Sequence, residues 1–491
     1  MMVLRCVAWM FLLAVQGNLF AQKGGGMKEK NGGKGGGKNG GDAGVAEDIR
    51  SLFKTDVPAH EVDVILGRPT DSSVTVSVCA YRDIEGILEY GSGEGSQVLR
   101  TESFRLRARE PLHVELKGLA GRNQWYRLGI REAGAAWKFG ARRVYHLQAR
   151  VGESFRFAMQ ADSHLDYNTD PDLYLRCLGN VGADQPDFMV DLGDTFMTDK
   201  HRGRETAEAH YYAQRYYFGR IGTTIPWFFV LGNHDGESMR LMEGTDPLAL
   251  WSLNLRKRLY PNPEPGKFYR GNREERAGVG RLQDYYAWEW GDALFVALDP
   301  FWYSPRQRGG EDNWSRSLGR VQYDWLKETL EGSRAKFRFI FLHHLVGGIG
   351  REARGGSEAA RLYEWGGRDE QGHELFSERR KGWPMPIHEL LVRNRVNAVF
   401  HGHDHLYVKE SLDGVVYQAV PQPGHPRYDQ VRSAEEYGYR SGTILGSSGH
   451  LRVSVDSGNA TVEYVRAVLE KDEGPTRKNG AISDRYTLMP R

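Results

Sequence analysis

The chain has 491 residues, 40% of them hydrophobic and 11% aromatic, with 66 Lys and Arg against 64 Asp and Glu. That composition can build sizeable cores and excludes general disorder, while the length calls for two or three folded units. The near-balanced charge of +2 excludes the strongly basic profile of a nucleic-acid-binding domain, so no specific nucleic-acid partner is expected.

Met1 to Arg5 carry one positive charge, Cys6 to Val15 form a short apolar run, and Ala21 offers a small residue for cleavage. Residues 1–21 therefore read as a signal peptide. The run is too short to span a bilayer. A mature chain without a transmembrane segment is expected, secreted, periplasmic or held at the cell surface. Removal of the signal leaves only Cys79 and Cys177, which is neither a disulfide framework nor a thiolate metal site. Residues 22–45 are Gly, Lys and Asn repeats with almost nothing to bury. They read as a flexible linker, and their lysines supply charge for contact with an anionic cell surface.

Residues 46–150 show short strands between turn residues. Val74, Val76 and Val78 alternate with Thr75 and Ser77, which predicts a half-buried strand. Ile87–Tyr90, His113–Leu116 and Trp125–Ile130 predict others. No helical period interrupts them, so a small antiparallel β-sandwich is expected. It holds no cluster of acids, bases or metal ligands, and is expected to pack against or position the next domain.

From residue 151 to 468 apolar runs alternate with helix-like stretches such as Asp172–Leu178 and Val321–Leu330. That rhythm predicts an α/β domain. Leu451–Val468 returns to strand alternation, and residues 469–491 are polar and read as a loosely ordered tail.

Within the α/β region one arrangement occurs five times. Phe155–Gln160 leads to Asp162-Ser163-His164, and Phe188–Leu192 leads to Gly193-Asp194. Trp227–Leu231 leads to Gly232-Asn233-His234-Asp235, and Phe337–Leu342 leads to His343-His344. Val396–Phe400 leads to His401-Gly402-His403-Asp404-His405. Each run has the apolar, β-prone character of a strand covered on both faces. Open α/β sheets bind ligands just beyond such strand ends, so five ends can converge on one point. Carboxylate, amide oxygen and imidazole suit divalent manganese, zinc, iron or cobalt, and the lack of thiolates disfavours a structural zinc. A pair of ions about 3.5–4 Å apart can generate hydroxide at neutral pH and clamp attacking and leaving oxygens.

The ordered series D-x-H, GD, GNHD, H and GHxH resembles the calcineurin-like metallophosphoesterase superfamily over roughly residues 153–466. The resemblance implies a four-layer αββα sandwich, here preceded by a small all-β sandwich of fibronectin type III-like character. It implies two divalent ions. Asp162, His164 and His405 would hold one, and Asn233, His343 and His403 the other, with Asp194 bridging. His343 is chosen over the adjacent His344 because it fits the family position. In-line attack by a hydroxide between the metals would cleave a phosphate-ester substrate. His234 would contact the phosphoryl group and protonate the leaving oxygen, and Asp235 would orient that imidazole.

A β-sandwich before a phosphoesterase domain is also similar to purple acid phosphatases. Those enzymes place a tyrosine three residues after the GD aspartate, where this chain has Met197, so no tyrosinate colour is expected. The expected activity is exported hydrolysis of a phosphomonoester or phosphodiester. A cyclic-nucleotide or nucleotide-sugar phosphodiesterase, and a cell-surface binding module with a non-catalytic domain, are the alternatives. Recognition loops are less legible. Residues 346–384 carry Arg351, Arg354, Arg361 and Arg368, which could clamp phosphate or pair with Glu358 and Glu364. Trp251, Tyr260 and Phe268 could wall a pocket or cover core, and Gln422, His425 and Arg427 offer a rim.

Overall fold

The apolar runs become strands because each can be covered on both faces. A computed structural model describes residues 53–93, 97–304, 312–345 and 354–491. The expected signal peptide and Gly/Lys linker lie outside the described residues.

In chain order the principal strands begin with β1 (Val62–Gly67), β2 (Val74–Ala80), β3 (Ile84–Ser92), β4 (Leu112–Leu116) and β5 (Asn123–Arg131). They continue as β6 (Phe155–Gln160), β7 (Phe188–Asp191), β8 (Trp227–Phe229), β9 (Arg270–Gly271), β10 (Tyr286–Trp290), β11 (Ala293–Ala297) and β12 (Phe337–Phe341). The last are β13 (Ala398–His401), β14 (Tyr407–Leu412), β15 (Val415–Ala419), β16 (Thr443–Leu445), β17 (Gly449–Val455), β18 (Ala460–Arg466) and β19 (Ile482–Leu488). The principal helices are α1 (Pro171–Asp184), α2 (Arg204–Gly222), α3 (Leu248–Leu259), α4 (Gly319–Gly332) and α5 (Ile387–Arg393). Sequence signals set the start of α1: Asp170 accepts from the Asp172 and Leu173 amides, and Pro171 follows it.

Two sheets face each other. One has nine strands in the order β19-β18-β17-β6-β7-β8-β1-β2-β4, and the other has eight in the order β9-β10-β11-β12-β13-β15-β14-β16. Alternate side chains from both sheets meet in an aromatic core containing Phe157, Phe188, Phe228, Trp288, Phe295, Phe339 and Phe400. Phe228 stacks on Trp288 with ring centroids 4.2 Å apart. The opposite faces are covered as well. Met189, Trp227 and Phe229 pack beneath residues of α1, α2 and α3, while Leu294, Ile340 and Val399 pack beneath α4 and α5. The result is the expected four-layer αββα sandwich, with the N-terminal β-rich region before it.

Two expectations are corrected. β2 is buried at all seven positions, not half-buried. Val74, Val76 and Val78 enter the core of the N-terminal region; on the other face the buried Arg215 of α2 donates to Ser77 Oγ (3.2 Å) and Cys79 joins the core under α2. The tail is not loosely ordered throughout either, because β19 pairs antiparallel with β18 at the sheet edge.

The N-terminal strands are joined to the rest by main chain. β3 and β5 lie in a six-stranded sheet of their own, but β1, β2 and β4 extend the nine-stranded sheet beyond β8. The junction is a parallel pairing of Gly67 with Trp227. Tyr126, on β5, donates its hydroxyl to Thr223 O just past α2 (2.9 Å).

Candidate metal centre

Strands buried on both faces are rigid, and the side chains of interest follow directly where they end. β6 leads to Asp162 and His164, β7 to Asp194, β8 to Asn233 and His234, β12 to His343, and β13 to His403 and His405. β6, β7 and β8 run parallel in one sheet, as do β12 and β13 in the other. Their carboxyl ends thus share one edge of the sandwich.

The backbone at these ends is bent hard. Asp162, His164, Asp194, His403 and His405 have φ of +59°, +24°, +52°, +78° and +54°. Such conformations cost on the order of 1–3 kcal/mol each and persist where surrounding structure holds them. Glycines permit the close approach. A Cβ on Gly232 would lie 2.0 Å from the Asp194 amide nitrogen, and one on Gly402 would lie 2.8 Å from Ala161 Cβ and 2.9 Å from Asp162 Oδ2.

Two clusters result, Asp162 with His164 and His405, and Asp194 with His343 and His403. In each, the candidate donor atoms lie within 4.8 Å of one another. Asp162 Oδ1 is buried without a hydrogen-bond partner. Around it stand His164 Nε2 and His405 Nε2, both at 3.5 Å, and His343 Nε2 at 3.8 Å. His343 Nε2 is also 3.2 Å from Asp194 Oδ2 and 3.3 Å from His403 Nδ1, so it joins the clusters. Ligands about 2.0–2.2 Å from a common ion stand roughly 3–3.5 Å apart, which these spacings match. Asn233 Oδ1 is likewise buried and unpartnered. Orphaned buried oxygens and imidazoles that cannot satisfy one another are the donor set that a pair of divalent ions would satisfy.

Electrostatics agree. Burial opposes charge on these groups, yet His343 and His405 hold the Asp162 carboxyl well below its usual range, and His343 and His234 do the same for Asp194. Against the same opposition, Asp194 and Asp162 raise the His343 imidazole to about 9. The site favours positive charge at its centre.

The adjacent histidines part ways. His343 Nδ1 lies 2.8 Å from Leu192 O, a pure acceptor to which it donates, which leaves Nε2 as the ring nitrogen that faces the cluster. His344 is buried with both ring nitrogens unpartnered, its ring edge-on to His403 at 4.4 Å.

His234 Nδ1 is 2.9 Å from Asp199 Oδ1, so Asp199, not Asp235, orients this imidazole. That corrects the expected role of Asp235. Its oxygens instead accept four main-chain N–H groups, from Asp194 (3.1 Å), Thr195 (2.8 Å), Phe196 (2.8 Å) and Gly232 (2.7 Å). Asp235 ties the GD loop to the GNHD loop. Burial, and then Asp194, push its carboxyl up to about 6. Asp199 was missed because it lies five residues beyond Asp194, in a short turn (Thr198–Lys200) that carries no periodic pattern. Asp191 was missed inside an apolar strand. It accepts from Gln160 Nε2 (2.8 Å) and the Gly193 amide (3.2 Å), and burial pushes it up to about 7.

Of the loop arginines, Arg351 lies outside the described residues. Arg354 donates to Asp404 (2.8 Å), which also accepts from Tyr439 (2.6 Å), and Arg368 pairs with Glu374. Glu364 pairs with Arg380, and Glu358 accepts from the Arg440 amide (3.0 Å). Tyr260 is in the core under α2 with Trp251 packed against that core, while Phe268 packs against the core between the two sheets. Gln422 is buried, whereas His425 is half-buried, and burial pushes its imidazole down to about 4.

A family model described as calcineurin-like phosphoesterase matches residues 155–407. Among solved structures, that titled "Structure of PhoD" superposes with a TM-score of 0.60 at 14% identity, covering 87% of this chain and 90% of the other. Purple acid phosphatase PPD1 from yellow lupin (Lupinus luteus) seeds gives 0.58 at 15% identity, covering 87% and 74%. At such identities the likeness is one of fold. No curated protein matches the chain by sequence.

Proposed function

The chain belongs to the calcineurin-like phosphoesterase family, a metal-dependent class of phosphoric ester hydrolases, and on that premise we propose that it is an exported phosphohydrolase acting on a phosphomonoester or phosphodiester. Asp162, His164 and His405 would hold one divalent ion, Asn233, His343 and His403 would hold the other, and Asp194 would be available to both. The observation that carries this reading is the pair of buried clusters meeting at His343 Nε2. Ions bound there supply Lewis-acid polarisation of the phosphoryl group and a nucleophilic water at neutral pH.

The chain's own groups do the rest. Asp199 engages His234 Nδ1, which leaves Nε2 to meet a phosphoryl oxygen and pass a proton to the departing oxygen. Asp235 holds the two ligand loops in register. Manganese, zinc, iron and cobalt all suit the donor set. Functionally we divide the chain into a signal peptide (1–21), a linker (22–45), a β-sandwich (46–150), the catalytic domain (151–468) and a tail (469–491). Export rests on residues 1–21, with the lysines of the linker available to an anionic cell surface. Among the described residues no helix is long and apolar enough to cross a membrane.

The test uses the chain from Gln22 onward, loaded separately with manganese, zinc and iron, on a chromogenic monoester and diester beside Asp194→Ala. Turnover that the variant abolishes is expected. Stoichiometric metal binding without turnover of either ester would overturn the hydrolytic reading, and an uncleaved N-terminus in the exported protein would overturn the signal peptide.

A further inference from the structure

Arg240 lies in a short 3-10 turn (Met239–Leu241) just after the β8 ligand loop. Its Nη2 donates to Asn233 O (2.8 Å) and to Asp199 Oδ2, the carboxylate whose other oxygen holds His234. The guanidinium is thus fixed against the main chain of one ligand residue and the partner of the residue beside it. A guanidinium has five N–H donors in a rigid fork. Among the described residues Nη2 alone is engaged, so Nε–H and both Nη1–H groups find no partner there while the side chain is 44% exposed. Arg354 also reaches the main chain of a ligand residue, His403 O (3.4 Å), but it spends Nε on Asp404 and lies over the Tyr437 ring at 3.7 Å.

From this placement we propose that Arg240 is the specificity-determining residue that reads the second negative charge of a phosphomonoester, so that the site prefers monoesters to diesters. The inference rests on the two-metal reading of the same site. A monoester and a diester offer the ions similar oxygens, but only the monoester keeps a further anionic oxygen after two are engaged. A pre-positioned fork beside His234 meets that oxygen through charge-assisted hydrogen bonds at little entropic cost. A diester carries a carbon substituent there instead, and leaves the donors unpaired.

Metal-loaded parent, Arg240→Gln, Arg240→Lys and Asp199→Asn are compared on 4-nitrophenyl phosphate and bis(4-nitrophenyl) phosphate, with orthophosphate binding measured by calorimetry. Arg240→Gln is expected to lower monoester kcat/KM at least about tenfold more than diester kcat/KM, chiefly through KM, and to weaken orthophosphate binding by a similar factor. Arg240→Lys should recover part of both losses. Asp199→Asn, which loosens His234 and also takes a charged partner from Arg240, should lower both esters, the monoester at least as much as the diester. Equal losses on both esters in Arg240→Gln, with orthophosphate affinity unchanged, would show that Arg240 acts only through Asp199 and would overturn the proposal. A parent inert on both esters defeats the hydrolase reading instead, and orthophosphate binding then still decides the role of Arg240.

Discussion

At the residue scale the site separates groups that touch metal from groups that place them. Asp199→Asn keeps the shape but replaces the carboxylate that faces His234 Nδ1 at 2.9 Å. A group that orients a general acid is worth about 10–100-fold, so kcat should fall by that factor while metal content stays at the parent level, measured by kinetics beside elemental analysis. Asp235→Ala should behave differently, because it orphans four buried N–H groups at once. Each orphan costs about 1–3 kcal/mol, so a stability loss on the order of 3 kcal/mol or more, with weaker metal binding, is expected in denaturant titration. The motif series in the sequence identified all the residues of the two clusters, since strand ends rich in Asp and His are local features. Which acid faces His234 was not legible. Asp235 is its chain neighbour, but the left-handed turns around Asp194 aim the Asp235 carboxylate at the main chain, and a residue 35 positions away takes its place.

At the element scale, legibility follows how each element is buried. β6, β7, β8, β12 and β13 are covered on both faces and read as continuous apolar runs. β19 reads Ile-Ser-Asp-Arg-Tyr-Thr-Leu, with only Leu488 buried. Its order comes chiefly from main-chain pairing with β18, and Tyr486 and Leu488, which reach the core, leave only a faint hydrophobic trace in the sequence. A segment within the arginine-bearing loop 346–384 is also set by tertiary contacts. The short helix Gly356–Ala359 docks on β14 through Glu410, whose oxygens accept from the Ser357 amide (2.7 Å) and Ser441 Oγ (3.0 Å). Glu358, on that helix, faces the same serine at 3.5 Å. Burial, and then the neighbouring Glu358 carboxylate, push the Glu410 carboxyl up to about 8. An unfolded glutamate titrates near 4.3, so between these values the folded chain binds the extra proton. Stability contributed by the protonated group is therefore lost as pH rises from that lower value through about 8. Glu410→Gln, which stays neutral, should melt at higher temperature than the parent at pH 9 and at a similar temperature at pH 4. A parallel pH dependence in the two proteins would refute the linkage.

At the scale of the whole molecule, the sequence divides the chain at about residue 150 on a change of rhythm, but the hydrogen bonding does not stop there. β1, β2 and β4 are at once one sheet of the N-terminal sandwich and the last three strands of the nine-stranded sheet. α2 crosses this join: Gly222, on α2, packs over β1 and β8, where an added Cβ would lie 3.1 Å from Trp227 Nε1 and in ordinary contact with Ile65 Cα at 3.5 Å, and Arg215 is buried against Ser77. Arg122 and His146 further pair with Asp187 at the start of β7 (2.6 and 3.1 Å). Rhythm reports the local period of burial, not which strand pairs with which, so a sheet shared between two regions is invisible to it. The physical consequence is that the N-terminal region is part of the support for the ligand-bearing strands. Without it, β8 would become an open edge beside Asn233 and His234, and Ile65 and Cys79 would be missing from the core under α2, where exposed apolar surface and an unpaired strand favour aggregation. Two outcomes are expected. The chain from Phe53 onward should unfold in one calorimetric transition, with equal calorimetric and van't Hoff enthalpies. A fragment beginning at Val151 should be insoluble or unfolded, and should not bind metal stoichiometrically. Two resolved transitions, or a soluble fragment that binds two ions, would show instead that β1, β2 and β4 are an ornament on a sheet that stands without them.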